Sequence, residues 1–92
     1  MILEIVTPEA ILFNGEVDVV TVPGINGEFQ MLNNHAPIVS LLQKGTIKIK
    51  GTFQVEEEQQ EKFTKGDDNT VLLSINSGTI ELKENKIIIL AD

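Results

Sequence analysis

His35 is the only imidazole in the chain, so it is the first residue to consider for catalysis. Nucleophilic catalysis needs a Ser, Thr or Lys side chain activated by a base, and a lone histidine does not make a triad. His35 follows Asn33-Asn34 and precedes Ala36-Pro37, so its ring can hydrogen-bond to carbonyl groups of its own loop. We therefore favour a structural or contact role for this residue and predict no catalytic residue.

The carboxylates do not follow the spacing of a metal or phosphate site. Calcium loops place acids at alternate positions before a glycine, and neither Glu56-Glu57-Glu58 nor Asp67-Asp68-Asn69 has this spacing. No GxxxxGK[ST] phosphate loop is present. A carboxylate pair such as Glu16 with Glu28 stays open, although nothing around these residues favours it. We predict no metal and no cofactor.

Acidic residues are concentrated in one segment, Val55-Glu56-Glu57-Glu58-Gln59-Gln60-Glu61-Lys62. Charge repulsion and the lack of apolar anchors predict a solvated hairpin tip or a mobile loop. We expect it to belong to an acidic hairpin or loop over about residues 52–70, and we assign that segment no function.

Composition limits the class of protein. A chain of 92 residues, 41% hydrophobic and 23% charged, is typical of one globular domain, so a single domain is expected over residues 1–92. The absence of cysteine excludes disulfides and thiolate chemistry, and four Phe without Trp or Tyr leave a core of Ile, Val and Leu. The formal net charge of -7 disfavours binding to nucleic acid and to anionic membrane surfaces. Without an apolar run long enough to cross a bilayer or an N-terminal targeting signal, we expect a soluble protein of a bacterial-type cytosol.

Alternation with period two recurs along the chain and helical periodicity does not. In Thr46-Ile47-Lys48-Ile49-Lys50 the isoleucines share one face and the lysines share the other, which is typical of a half-buried antiparallel strand. Residues 71–75 and 79–83 repeat the pattern. Lys83-Glu84-Asn85-Lys86 predicts a hairpin turn before a last strand, residues 86–90, which is apolar on both faces. That strand should lie in the middle of the fold or face another subunit.

Turn signals recur at intervals of about 8–12 residues and leave no segment for crossover helices. They predict an all-β fold, a β-sandwich or flattened barrel of roughly ten short, mostly antiparallel strands. One irregularity stands out, because Val17-Asp18-Val19-Val20-Thr21-Val22 breaks strict alternation at Val19-Val20. A β-bulge at that point would explain it.

Turn residues and the only histidine are concentrated between Pro23 and Gly45, which indicates a recognition surface. The order of motifs along nearly the whole chain resembles the epsilon subunit of F-type ATP synthases, named delta in mitochondria. The matching residues are Ile5-Val6-Thr7-Pro8-Glu9, Phe13, Gly15-Glu16-Val17, Pro23-Gly24, Gly27-Glu28-Phe29, His35-Ala36-Pro37, Leu42, Gly45, residues 77–82 and residues 85–92.

This resemblance implies an N-terminal β-sandwich of two roughly five-stranded sheets. It further implies a non-catalytic subunit of the rotor's central stalk, placed between the gamma subunit and the c-ring, which helps couple proton transport to ATP synthesis. One copy would be present per complex, as a peripheral subunit on the cytoplasmic face of the bacterial inner membrane, while the isolated chain would be a monomer. Family members typically continue into a C-terminal helical hairpin, whereas this sequence stops at Asp92.

The resemblance also implies roles for individual residues. Glu28 matches the position that faces the polar loops of the c-ring, where an acid suits basic and amide groups. Thr7, His35 and Ser40 match positions on the gamma-facing side.

Three departures and two alternatives go with this interpretation. Asn33-Asn34 stands where the family usually has Pro-Gly, which keeps the turn propensity, and Ser77-Gly78 replaces a paired glycine. The acidic stretch over about residues 52–70 is an insertion relative to the family's usual length. One alternative is a small enzyme or metal-binding domain that uses His35 with nearby acids. The other is a free-standing β-sandwich interaction module that is unrelated to ATP synthase. An apolar face that becomes buried only on gamma is expected under the family interpretation and not for a free-standing module.

Overall fold

The alternating segments form ten β-strands and one short 3₁₀ helix in the computed structural model, which describes all 92 residues. The elements are β1 (Ile2–Val6), β2 (Ile11–Glu16), β3 (Val19–Gly24), β4 (Gly27–Leu32), β5 (Ile38–Leu42), β6 (Gly45–Lys50), the 3₁₀ helix (Glu57–Lys62), β7 (Phe63–Lys65), β8 (Thr70–Ile75), β9 (Gly78–Lys83) and β10 (Lys86–Ala91).

The strands form one continuous sheet that folds into two layers of five strands. The layer β2-β1-β10-β9-β5 is called the front sheet here, and the layer β4-β3-β6-β8-β7 is called the back sheet. They join at a corner, where Gly24 of β3 pairs with Leu42 of β5. Only β1 and β10 pair in parallel, and all other pairs are antiparallel. The prediction of an all-β sandwich of mostly antiparallel strands is confirmed.

The core lies between the two layers and is almost entirely aliphatic. Ile47 and Ile49 are completely buried while Lys48 and Lys50 are exposed, as the alternation predicted. Nineteen buried hydrophobic residues form one cluster, and Phe13 is its only aromatic member. Burial of these side chains, at about 25 cal/mol per Å² of apolar surface, is the main stabilising contribution in a chain without disulfides.

The predicted hairpin at Lys83-Glu84-Asn85-Lys86 is present. Lys83 pairs with Lys86, and the two residues between them have φ angles of 50° and 62°, the left-handed geometry of a tight two-residue turn. The hairpin places β10 between β1 and β9, in the middle of the front sheet. Ile87 and Ile89 therefore face the core, and Ile88 and Leu90 lie on the outer face.

The expected bulge at Val19-Val20 is wrong. β3 starts at Val19 and pairs with β4 without interruption, so the break in alternation marks the link between β2 and β3. A register shift occurs instead between β1 and β2, where Ile5 pairs with Phe13 and the next residue, Val6, pairs with Ile11. The extra residue in β2, Leu12, allows two successive side chains of this strand to be buried.

The acidic segment is not a solvated hairpin tip. Its charged residues form the 3₁₀ helix Glu57–Lys62, with two acids in the first turn and a lysine in the last, an order that suits the helix dipole. The short strand β7 follows, and it forms a hairpin with β8 through a turn that contains left-handed Asp68 and Asn69. The hairpin expected in this region therefore exists, but it lies after the acidic residues.

Phenylalanines on both sides of the helix anchor it to the front sheet. The ring of Phe13 in β2 meets Phe53 edge to face, with centroids 4.9 Å apart, and lies 6.4 Å from the ring of Phe63 in β7. These contacts connect the edge strand of the front sheet to the edge strand of the back sheet, opposite the Gly24 corner. Residues 51–62 thus form a strap that covers the open side of the sandwich.

Candidate functional site

The outer face of the front sheet carries a line of side chains across all five strands that is apolar except at Thr79. Cross-strand pairing places Leu41 beside Thr79, Thr79 beside Leu90, Leu90 beside Val6, and Val6 beside Ile11. These five residues, called the apolar row here, come from four separate parts of the chain. Leu41, Leu90 and Ile11 are each more than half exposed. At about 4.8 Å between strands the row is roughly 19 Å long, and a contiguous exposed apolar surface of this kind marks an interaction site.

A second row runs beside the first and mixes apolar residues with acids. Its order is Val39, Glu81, Ile88, Glu4 and Asn14. Val39 is the most exposed large hydrophobic residue of the molecule, with 76% of its surface accessible. Neither Glu4 nor Glu81 takes part in a salt bridge, because the structure contains only two and both lie elsewhere.

The outer face of the back sheet is polar, in contrast to the front. Its central row is Gln30, Thr21, Lys48, Leu72 and Thr64, in which four of the five side chains are polar. Both salt bridges of the molecule lie on this layer, Lys48 with Glu28 at 3.3 Å and Lys50 with Asp68 at 2.8 Å. The two outer faces are thus chemically different, and only the front face offers an extended apolar surface.

The pair of Lys50 and Asp68 perturbs the ionisation of both its members. The hydrogen bond from the Lys50 ammonium, and then its charge, lower the pKa of the Asp68 carboxyl below its ordinary value of 3.8. The same bond and charge raise the pKa of Lys50 above 10.5. The pair is exposed and stabilises a turn at the edge of the back sheet, so it is structural rather than catalytic.

Glu28 lies in β4 opposite Pro23, just after the turn that joins β3 to β4. Its carboxylate is about half exposed and forms a salt bridge with the ammonium group of Lys48. Glu16, in contrast, ends β2 opposite Ile2 in the front sheet. The structure therefore does not bring Glu16 and Glu28 together, and the carboxylate pair that the sequence left open does not form.

Thr7 follows β1 at the end of the front sheet where β10 finishes. Its hydroxyl donates to the carbonyl of Ala10 at 3.1 Å and accepts from the amide of Ala10 at 3.2 Å. These bonds close the turn between β1 and β2. The side chain is half-buried, so Thr7 holds the turn and also borders the apolar row through its neighbour Val6.

His35 lies in the exposed loop between β4 and β5, at the opposite end of the front sheet. Its Nδ1 lies 2.7 Å from the carbonyl oxygen of Ala36, which agrees with the loop contact expected from the sequence. The amide of Asn34 donates to Asn85 in the β9–β10 turn, which fixes this loop to that end of the sheet. Thr7 and His35 are thus separated by the length of β10, roughly 20 Å, and cannot form one compact site.

Ser40 lies in β5, the edge strand of the front sheet, between Val39 and Leu41. It pairs with Ile80, and its hydroxyl donates to the carbonyl of Leu41. That carbonyl faces away from β9, because it also accepts a bond from the amide of Ile25. The side chain of Ser40 lies on the core side of β5. It is half-exposed because only Gly24 and Ile25 cover this edge of the strand.

No three His, Asp or Glu side chains are grouped so that they could hold a metal ion, and His35 has no side-chain partner. The structure contains no helix that is both long enough and apolar enough to span a membrane. The two outer faces of the sandwich differ, because the front face carries the apolar row and the back face is polar.

The apolar row is the feature that reasoning from sequence missed. The sequence predicted an apolar face in general, but the members of the row are far apart in the chain. They become neighbours only through the strand order. The sequence feature that points to this surface is the last strand. Its residues are apolar on both faces, which indicates that the face of β10 turned away from the core is covered by another molecule.

Fold and surface together define a class, that of small all-β sandwich domains with one extended apolar face. The chain belongs to the family of the delta/epsilon chain of ATP synthase, specifically its beta-sandwich domain, whose model matches residues 1–92. This membership confirms the resemblance read from the motifs and agrees with the expectation of a non-catalytic chain.

Similar proteins extend this finding. The chain is 37% identical over 90 residues to the ATP synthase epsilon chain of Desulforamulus reducens, covering 98% of this chain and 57% of that protein. It is 41% identical to the epsilon chain of Campylobacter concisus, with 98% and 59% covered, and 39% identical to that of Sulfurovum sp., with 100% and 61% covered. The chain thus spans about three fifths of the length of these relatives.

A solved structure shares the fold. A chain in the central stalk and c-ring structure of the Tetrahymena thermophila mitochondrial ATP synthase superposes with a TM-score of 0.77 at 17% identity. The match covers 99% of this chain and 62% of that one. At this identity the comparison establishes the β-sandwich architecture.

Proposed function

We propose that this chain is a non-catalytic connector in the central stalk of an F-type ATP synthase. In this role it binds the gamma subunit with its front face, contacts the c-ring near Glu28, and helps couple proton transport to ATP synthesis. Membership of the epsilon family supports the complex, and the chemical difference between the two outer faces supports two separate contacts. The chain would then be a peripheral subunit at the cytoplasmic face of the bacterial inner membrane.

The apolar row is the observation that carries the gamma contact. An exposed leucine, valine or isoleucine gains about 25 cal/mol for each Å² of apolar surface it buries, so a partner that covers the whole row binds favourably. Thr7, His35 and Ser40 lie around this surface, at its two ends and along its β5 edge. A partner that touches both Thr7 and His35 spans the front face from end to end, and it reaches Ser40 only around the β5 edge, because that side chain lies on the core side.

Mechanical coupling suits this architecture. Torque passes between two partners only if the part between them does not deform, and a close-packed β-sandwich has low compressibility. The corner at Gly24 and the strap over residues 51–62 join the two layers on opposite sides. Force applied to one layer is therefore transmitted to the other.

Two leucines provide a matched test of the gamma contact. Leu41 on the front face is 57% exposed and Leu32 on the back sheet is 52% exposed. We expect Leu41→Asp to abolish co-purification with the gamma subunit of the same genome in size-exclusion chromatography, because it buries a charge in the interface. Leu32→Asp should leave the complex intact. Equal behaviour of the two variants would contradict docking on the front face, and failure of the unaltered chain to bind gamma would favour a free-standing interaction module.

A further inference from the structure

We infer that the front face is shaped for one amphipathic helix that lies across the strands and presents basic residues to Glu4 and Glu81. This inference rests on the docking face proposed above and goes further, because it assigns the kind of element that docks and the residues that set its orientation. Neither acid belongs to the contact residues that the family resemblance implies.

The dimensions of the surface select a helix. The apolar row is roughly 19 Å long, which corresponds to about 13 residues at a rise of 1.5 Å each. The second row lies about 7 Å away, so the two rows together have nearly the width of one helix, about 10 Å. Leu41, Leu90 and Ile11 are two strand intervals apart, about 10 Å, so a helix along the row would place an apolar side chain over each of them about every seven residues, or two turns.

Charge decides what flanks the apolar stripe of that helix. Glu4 and Glu81 are the two cross-strand neighbours of Ile88, one on each side. Neither has a cation within salt-bridge distance in this molecule. A partner that covers Ile88 removes water from both carboxylates, and this is unfavourable unless the partner supplies compensating charges. Lys83 and Lys86 line the same surface as Glu81 without forming a salt bridge with it, so we expect the docked helix to carry lysine or arginine on the side that faces the second row.

Spacing makes the inference specific. Two strand intervals separate Glu4 from Glu81, a distance of about 10 Å. On a helix with a rise of 1.5 Å per residue, this separation corresponds to about seven residues, or two turns. The partner helix should carry two basic residues at positions i and i+7, beside its apolar stripe. Reversing the helix on the face would move these basic residues to the side away from the second row, so Glu4 and Glu81 also select the direction of the helix.

Charge reversal with a matched control tests the inference. Each Glu→Lys change adds two units of charge, so the double variant Glu4→Lys, Glu81→Lys and the control Glu57→Lys, Glu58→Lys both change the net charge from -7 to -3. The control residues lie on the exposed 3₁₀ helix of the strap. Binding to the purified gamma subunit is measured by isothermal titration calorimetry at low and at high salt, and circular dichroism checks the fold of each variant.

We expect the Glu4, Glu81 variant to bind gamma about tenfold or more weakly at low salt, and the control to bind within about twofold of the unaltered chain. The isosteric variant Glu4→Gln, Glu81→Gln should lose most of the salt dependence of binding. If Leu41→Asp abolishes binding while both charge-reversal variants bind alike, the docking face stands and the inference about basic residues is overturned. If Leu41→Asp binds normally, the docking face itself is wrong.

Discussion

Gly78 lies where three strands come together, and the space there is insufficient for any side chain. It pairs with Leu42 on one side and Ala91 on the other, and a Cβ atom at this position would lie 2.5 Å from the carbonyl oxygen of Leu90. The obstacle is backbone in the middle of the front sheet, which cannot move aside as a flexible side chain would. This close approach explains a glycine in a strand, where glycine is otherwise unfavourable.

We predict that Gly78→Ala lowers the free energy of unfolding by about 1–3 kcal/mol, because the added methyl group forces the strands apart. The control is Gly15→Ala in β2, where a Cβ would lie 3.6 Å from the ring of Phe13, an ordinary contact. That variant should unfold at the same urea concentration as the unaltered chain or at a slightly higher one. Equal midpoints for the two variants in urea denaturation would contradict the explanation.

The exposed pair of Lys50 and Asp68 gives a prediction about pH. The folded protein lowers the pKa of Asp68, so its contribution to stability is present above pH 3.8 and is lost as pH falls through the lower folded value. It raises the pKa of Lys50, so that contribution is present below pH 10.5 and is lost as pH rises through the higher folded value. Asp68→Asn keeps a residue that tolerates the left-handed backbone at this position, where φ is 57°.

We therefore expect Asp68→Asn to unfold at a lower urea concentration than the unaltered chain at neutral pH and low salt. The difference should disappear in strong acid and shrink at high salt, because the pair is exposed and screened. A difference that persists well below pH 3.8 would indicate that the turn geometry, and not the ion pair, is responsible.

At the scale of elements, local sequence patterns predicted the strand faces and turns that depend on neighbouring residues. They did not predict the features that depend on contacts between distant residues. The face of Ile47 and Ile49 and the β9–β10 turn follow from a few adjacent residues, and both are as predicted. The bulge was misplaced because Val17 belongs to a link and not to a strand. The structure of the strap was not predicted because it depends on distant contacts. Phe53 and Phe63, which flank the acidic run, pack against the ring of Phe13, and Phe13 lies forty residues before Phe53 in the sequence.

The strap provides the prediction at this scale. Phe53→Ala removes the edge-to-face contact with Phe13, so residues 51–62 should lose their attachment to the front sheet. We expect hydrogen exchange of this segment to become faster while β1, β9 and β10 stay protected, and the whole domain to lose about 1–3 kcal/mol of stability, because Phe53 is only partly buried. Phe53→Leu retains apolar volume and should have a smaller effect. Exchange that is unchanged in Phe53→Ala would show that the 3₁₀ helix is held by other contacts.

The whole molecule shows a difference between its two faces that no segment of the sequence displays. Most strands alternate, and the side chains that they place outside include an extended apolar row on the front sheet and a mainly polar row on the back. The strand order decides this, because it brings Val6, Leu41 and Leu90 to one face. Strand order follows from long-range pairing, which periodicity does not reveal. The family resemblance supplied the expected architecture, while the docking surface required coordinates.

Glu28 provides the prediction for the molecule within its complex. If its carboxylate contacts the c-ring, Glu28→Lys should weaken the coupling of proton transport to ATP synthesis more than it lowers thermal stability. The change also breaks the ion pair with Lys48 and leaves two lysines adjacent. This local effect on the domain must be distinguished from the loss of a c-ring contact. The double variant Glu28→Lys, Lys48→Glu exchanges the two charges and restores an ion pair within the domain.

Coupling is measured as ATP synthesis driven by a proton gradient in membrane vesicles that carry the complete synthase, and stability is measured by thermal unfolding of the isolated chain. We expect the exchanged pair to recover the stability that Glu28→Lys loses, since an exposed pair contributes at most about 1 kcal/mol in either orientation. Coupling should stay low, because the partner at the c-ring still meets a lysine where it requires an acid. Recovery of coupling together with stability would place the role of Glu28 inside the domain and would remove the reason for assigning it to the c-ring contact.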